Sequence, residues 1–375
     1  MTDDTRPEPD RVDGAPHPRE TARLIGQGGA EAGFLEAYNA GRMHHGWLIT
    51  GARGVGKATL AWRIARFLLA TPASDDGPGL FGAEPPAPET LDIGPDHPVS
   101  HRILAGSDPG LFHITRAVNE KTGRLRDTIV AEDVRRLNNF LQLSATDGGR
   151  RVVIIDSADE MNMQAANALL KMLEEPPART TLLLVSHQPS GLLPTIRSRC
   201  RELRLSPLSS GDMAAALLQA GVEADGQAGA LAELSGGSVG DAVRLINLGG
   251  LGIYAELVAL FAGLPRLDRA RALKLAEAAA TRGAEDRLDL LFTLIDLLLA
   301  RLARAGAAGQ GPTAEAAPGE AQMIARLSPD AIRARQWADC AQQTGARARH
   351  GRSVNLDPAA LVLDTVFAIQ KTAAG

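Results

Sequence analysis

The chain has 375 residues, of which 45% are hydrophobic, 22% charged and only 3% aromatic, and its formal net charge is −4. That length suffices for two or three domains with cores of their own, and the charge excludes a protein whose main task is to grip nucleic acid by itself. No apolar run reaches the roughly 18 to 20 residues that span a membrane.

Residues 1–20 are polar and proline-rich with no apolar segment, so a disordered leader is expected there and no secretory signal. Cys200 and Cys340, far apart in such a chain, are expected to be reduced thiols in the cytoplasm. The stretch GFLEAYNAGRMHHG carries helical apolar spacing and ends at glycine. Trp47 to Thr50 is a short apolar run that reads as a buried parallel strand. It leads into GARGVGKAT, Gly51 to Thr59, and then into TLAWRIARFLLA, whose apolar residues recur at helical intervals.

Strand, glycine-rich loop and helix in that order are the context a phosphate-binding loop requires. Gly51, Gly54 and Gly56 would let backbone N–H groups close around phosphate oxygens, and Lys57 would set a point charge on them. The pattern fails at Ala58, where a Ser or Thr hydroxyl should hold Mg²⁺. Thr59 has a hydroxyl but stands about 100° around the helix.

From Thr71 to Pro109 the chain is rich in Pro, Gly and Asp and reads as an irregular surface excursion. LFHIT is a strand, Glu132 to Leu143 a helix, and RVVIID a second buried strand ending at Asp156. An aspartate at such a strand end supports Mg²⁺ in P-loop ATPases, and a following glutamate polarises the attacking water. Here Ser157 takes the glutamate's place and is not basic enough for the task. Asp159 and Glu160 lie too far along and read as helix-start acids. MQAANALLKMLEE is a helix stopped by Pro176 and Pro177, Leu182 to Ser186 a third strand, and RELRL a last one. Strand and helix alternate, so residues 21–207 should form one α/β domain around a parallel sheet. Residues 208–248 should be a small helical domain and 249–375 a larger one, with the Ala/Gly/Pro-rich stretch 305–319 as a flexible loop.

The P-loop, the strand ending at Asp156, NALLKMLEEPP (Asn167 to Pro177) and the triplet Ser198-Arg199-Cys200 together resemble the AAA+ clamp-loader subunits of bacterial DNA polymerase III. The resemblance runs through the α/β domain and the small helical one, and matches the rest in character more than in motif. It implies an N-terminal AAA+ P-loop domain, a helical lid and a C-terminal helical collar for oligomerisation. It also implies that Arg199, between Ser198 and Cys200, projects from its own subunit as an arginine finger in trans to a neighbour's nucleotide. The plainer alternative is a surface arginine paired with a nearby carboxylate, as Arg197, Arg201 and Arg204 are free to be.

In hydrolysing members an arginine that senses nucleotide stands where this chain has Gly240. With Ala58, Ser157 and Gly240 in place of three groups of one reaction, the resemblance implies a structural subunit with no catalysis in cis. Its P-loop, with Lys57 and Asp156, would be vestigial, binding ATP or ADP weakly and without turnover at most. The implied partners are gamma/tau and delta subunits in a hetero-oligomeric ring, with the sliding clamp and primed DNA reached through the complex and no membrane. The rivals are an active motor of the gamma/tau type, using Thr59 and Asp156, and a stand-alone nucleotide kinase, which has no use for the triplet. The family's four zinc-binding cysteines are missing here. His97, His101 and His113 lack thiolates to complete a site, so they read as loop histidines and no zinc is expected.

Overall fold

In the computed structural model, which describes residues 8–375 except 10, 22, 72–85, 120–121, 143–148, 282, 284 and 313, the chain divides into two units. The first comprises Met1–Leu208, Leu218–Val222 and Ser238–Gly240, and the second Ser209–Leu217, Glu223–Gly237 and Asp241–Gly375.

In the first unit, in chain order, are α1 (Gly28–Asn39), β1 (Gly46–Thr50), α2 (Lys57–Ala70), α3 (Pro98–Leu104), β2 (Leu111–Ile114) and α4 (Ala131–Gln142). These are followed by β3 (Arg151–Ile155), α5 (Met163–Glu174), β4 (Thr180–Ser186), α6 (Pro194–Arg197) and β5 (Arg201–Arg204). The sheet runs β2-β3-β4-β1-β5 with every pairing parallel. β1 and β4 are buried along their whole length, as strands with an apolar side chain on both faces must be. Leu48, Val153, Ile155, Leu182 and Leu184 pack with Val134 and Leu137 of α4 and with Leu169 and Leu173 of α5. Side chains alternate along a strand, so Trp47 meets Phe34 of α1 instead, ring centroids 5.0 Å apart. Asn162 caps α5 by accepting the Ala165 N–H at 2.9 Å, and Pro176 and Pro177 follow its end.

Two expectations need correction in this unit. The excursion is not irregular over residues 86–109: α3 lies within it, capped by His97, whose Nδ1 accepts the Val99 N–H at 3.2 Å. Leu91, Val99 and Ile103 are buried, and Arg63 ties the segment down through Asp92 at 2.9 Å while holding Glu31 of α1 at 2.7 Å. Apolar burial and one bridging cation order a stretch whose composition reads as loop; residues 72–85 of it lie outside the described residues. The leader is also ordered where it is described. His17 is 1% exposed and sits edge-on to Trp62 at 5.9 Å, Arg19 pairs with Glu8 at 3.2 Å, and Arg66 donates to Arg19 O at 2.7 Å. Residues 1–7 and 10 of the leader lie outside the described residues.

The second unit is helical throughout its regular elements. It holds α7 (Ser210–Gln219) up to Leu217, α8 (Ala228–Ser235), α9 (Val239–Asn247) from Asp241, α10 (Gly250–Ala262) and α11 (Arg269–Ala279). It continues with α12 (Glu285–Ala308), α13 (Glu320–Leu327), α14 (Ala331–Ser353) and α15 (Pro358–Ala374). The stretch 305–319 departs from the expected flexible loop where it is described, because α12 runs through its first residues and a buried ion cluster holds Ala314 and Ala316, residue 313 lying outside the described residues. Glu320 is 0% exposed; it accepts from Arg301 Nε at 2.6 Å, Tyr254 OH at 2.6 Å and the Ala316 N–H at 2.7 Å. Arg301 also reaches Glu233 at 2.9 Å and Ala314 O at 2.9 Å. Alanine and glycine content carries no sign of such a cluster. Among the described residues no single helix is long and apolar enough to cross a membrane.

Candidate functional site

A parallel sheet aligns the carboxyl ends of its strands, and ligands of such sheets bind in the crevice beyond those ends. Here the ends of β1, β3 and β4 bring together the loop after Thr50, Asp156-Ser157 and His187. Gly51, Gly54 and Gly56 have φ of 142°, 74° and 99°, a region that residues with a Cβ rarely enter. A Cβ on Gly54 would come 2.2 Å from Ser238 Oγ, so this position needs glycine for space as well. Across that contact the Gly240 N–H donates to Gly54 O at 3.2 Å. Gly240 thus lends its backbone to the loop.

Lys57 is 3% exposed, and its ammonium donates to Gly51 O at 2.8 Å and to Ala52 O. Burial pushes its pKa down to about 8, against the opposing pull of Asp156 and Asp159. Asp156 is buried and accepts the Ser157 N–H at 2.8 Å. Ser157 adopts a left-handed backbone, φ 56° and ψ 51°, and its Oγ lies 3.1 Å from His187 Nε2. Burial, then the nearby Lys57 and Arg53, depress the His187 pKa to about 4, which keeps the ring neutral at pH 7. Asp159 and Glu160 are not simple helix-start acids. Asp159 accepts the His187 and Gln188 N–H groups at 2.9 and 3.2 Å, and Glu160 holds Arg116 at 2.7 Å and Arg53 at 3.3 Å. Ala58 has no side-chain oxygen for a metal. A described part of the leader closes in as well: Pro9 lines a small recess with Thr115, Arg116, Asp156, Ser157 and Glu160.

The triplet lies elsewhere. Ser198, Arg199 and Cys200 follow α6 and lead into β5, whose Arg201 pairs with Trp47 at the amino end of β1. The Arg199 carbonyl would stand 3.2 Å from a Cβ on Gly46. Gly51 is at the other end of that strand, about 16 Å away at ~3.3 Å per residue. Arg199 is 37% exposed and pairs with Glu174 at 2.9 Å, and its Nη1 donates to Thr195 O at 3.1 Å. Ser198 Oγ donates to the same carbonyl at 3.1 Å. Cys200 is packed inward, and burial raises its pKa to about 12. Of the neighbouring cations, Arg201 lies over the Trp47 ring at 5.3 Å.

Sequence patterns pointed to Gly51, Gly54, Gly56, Lys57 and Asp156, and the fold gathers them. His187 and Glu174 escaped. His187 carries a readable signal, the first polar side chain after an apolar parallel strand. The Glu174–Arg199 pairing does not, since no spacing rule relates a helix end to a later turn. His97 caps α3, and His113 lies on β2 with its ring 4.9 Å from Trp62, a strand residue and not a loop one. Among the described residues no cluster of His, Cys, Asp or Glu could hold a metal ion.

Residues 26–209 match a family model described as "DNA polymerase III, delta subunit". The chain is 37% identical over 227 residues to "DNA polymerase III subunit delta'" of Pseudomonas aeruginosa, covering 60% of this chain and 61% of that one. It is 34% identical over 175 residues to the protein of the same name from Escherichia coli, covering 46% of each. A third relative is "DNA polymerase III subunit tau" of Salmonella typhimurium, 30% identical over 197 residues, 51% of this chain and 26% of that one. The match therefore spans less than two thirds of each relative's own length.

Proposed function

We propose that the chain is a clamp-loader subunit of the delta-prime type of DNA polymerase III, to which residues 26–209 and the relatives above point, and that it is a structural subunit that hydrolyses no ATP itself and lends Arg199 to a neighbour. The observation that carries this reading is the placement of Arg199 at the opposite end of β1 from Lys57. From there it cannot serve its own P-loop, and its exposure of 37% leaves it within reach of another subunit. A planar guanidinium meets two phosphate oxygens at once, where an ammonium offers a point charge.

The P-loop supports the second half. Its lysine is bound to the loop's own carbonyls, Ala58 cannot ligate Mg²⁺, and the backbone at Ser157 turns that side chain to His187. These groups do not fit a magnesium–nucleotide, and no step is assigned to one here. The partners in this reading are gamma/tau and delta subunits, and the task is loading of the sliding clamp on primed DNA. An active gamma/tau-type motor is the competing reading, favoured by Lys57 and Asp156 being in place.

Purified alone, the chain should show no ATPase above background, and ATP should leave its melting temperature unchanged. In a reconstituted loader, Arg199→Ala should abolish turnover at the site it serves, where a finger is worth about 10³ to 10⁵ in kcat, with assembly intact. Turnover by the chain alone that Lys57→Ala removes would establish the motor instead. Loss of assembly in Arg199→Ala would make Arg199 an interface residue.

A further inference from the structure

The contact between Arg199 and Glu174 joins two separate motifs. Thr195, which takes Nη1, belongs to the turn that carries Arg199, whereas Glu174 is the last residue of α5. Its position is built rather than incidental. A Cβ on Gly46 would meet Leu173 Cδ2 at 2.9 Å, Arg199 O at 3.2 Å and Cys200 Sγ at 3.2 Å. A bare α-carbon there lets the end of α5 and the triplet close on β1 without a shift of the Leu173 side chain or its neighbours. His45 Nε2 adds a bond to Leu173 O at 2.9 Å, and the inert Cys200 thiol fills the space between. A carboxylate at a helix carboxyl end opposes the helix dipole, so Glu174 does not serve the stability of α5.

With Nη2 on Glu174 and Nη1 on Thr195 O, the terminal edge of the guanidinium, the one that would meet phosphate, is engaged within its own chain. Both side chains are accessible, at 37% and 49% exposure, so exchange to another anion meets no buried barrier. We propose that Glu174 is a counter-ion in cis that restrains Arg199 and sets how strongly it engages the neighbour's nucleotide. This rests on the reading of Arg199 as a finger. The restraint amounts to what an exposed ion pair is worth, about two- to fivefold in an equilibrium constant.

The test is a reconstituted loader carrying Glu174→Gln, assayed for clamp-stimulated ATPase over a range of ATP. kcat/KM for ATP should rise two- to fivefold, and the gain should shrink as salt screens the pair. Glu174→Asp, which keeps the charge, should stay close to wild type. Glu174→Gln with Arg199→Ala should equal Arg199→Ala alone. A lower kcat/KM in Glu174→Gln would overturn the restraint, as would no change beside a defective Arg199→Ala. If Arg199→Ala itself leaves ATPase untouched, the finger reading falls first and the restraint with it.

Discussion

His187 shows how the site's charge reaches stability. Its ring is half-buried near Lys57 and Arg53, and its pKa lies at about 4, well below the ordinary 6.5. In the window between those values the unfolded chain binds the proton and the folded one does not. Stability is therefore full above pH ~6.5 and declines toward pH 4, by about 1 to 3 kcal/mol from this group. Thermal melts at pH 7, 6, 5 and 4 should show a shallower fall for His187→Asn than for wild type; parallel curves would remove His187 from the account. At this scale the P-loop residues were legible because each has one chemical job at one spacing. His187 was marked by its place after an apolar strand but escaped, and Glu174 was not legible, because its pairing with Arg199 joins a helix end to a later turn.

At the scale of elements, the legible features were those written in periodicity: β1, β3, β4 and α5 came out within two residues of expectation. What failed was composition read as disorder. The stretch after α12 looks like a linker by its alanine, glycine and proline, yet Glu320 and Arg301 meet in a dry cluster there. Breaking a buried pair from one side leaves a charge without a partner and costs about 3 to 5 kcal/mol. Glu320→Leu should lower the unfolding free energy of the helical unit by that amount, seen as a lower urea midpoint, whereas Glu320→Leu with Arg301→Met should recover much of it. Equal midpoints for single variant and wild type would show the cluster to be idle. The excursion before β2 teaches the same lesson with a single ion pair, Arg63–Asp92, and three buried apolar side chains.

For the molecule as a whole, two units with separate cores predict that equilibrium unfolding is not two-state. Trp47 and Trp62 report from the first unit and Trp337 from the second, all nearly inaccessible to water. In Trp337→Phe the fluorescence transition should follow the first unit alone and ignore Glu320→Leu, which should still shift the later or earlier helical transition seen by circular dichroism. A single coincident transition in every variant would mean that the units melt as one. The α/β class of the first unit and the helical class of the second were both plain in the sequence. The limits of each were not, since Leu218–Val222 and Ser238–Gly240 group with the first unit although they lie among helices of the second.

The left-handed backbone at Ser157 limits what a single substitution there can restore. A glutamate placed there would inherit the same φ near 56°, whose cost of about 1 kcal/mol Ser157 already bears, and would begin from a carbon already turned toward His187. Restoring a hydroxyl at Ala58 alone, or an arginine at Gly240 alone, would return one part of a reaction that needs all of them. On the proposed reading, Ser157→Glu made alone should therefore leave ATP turnover by the isolated chain at background, and only the three changes together could alter it.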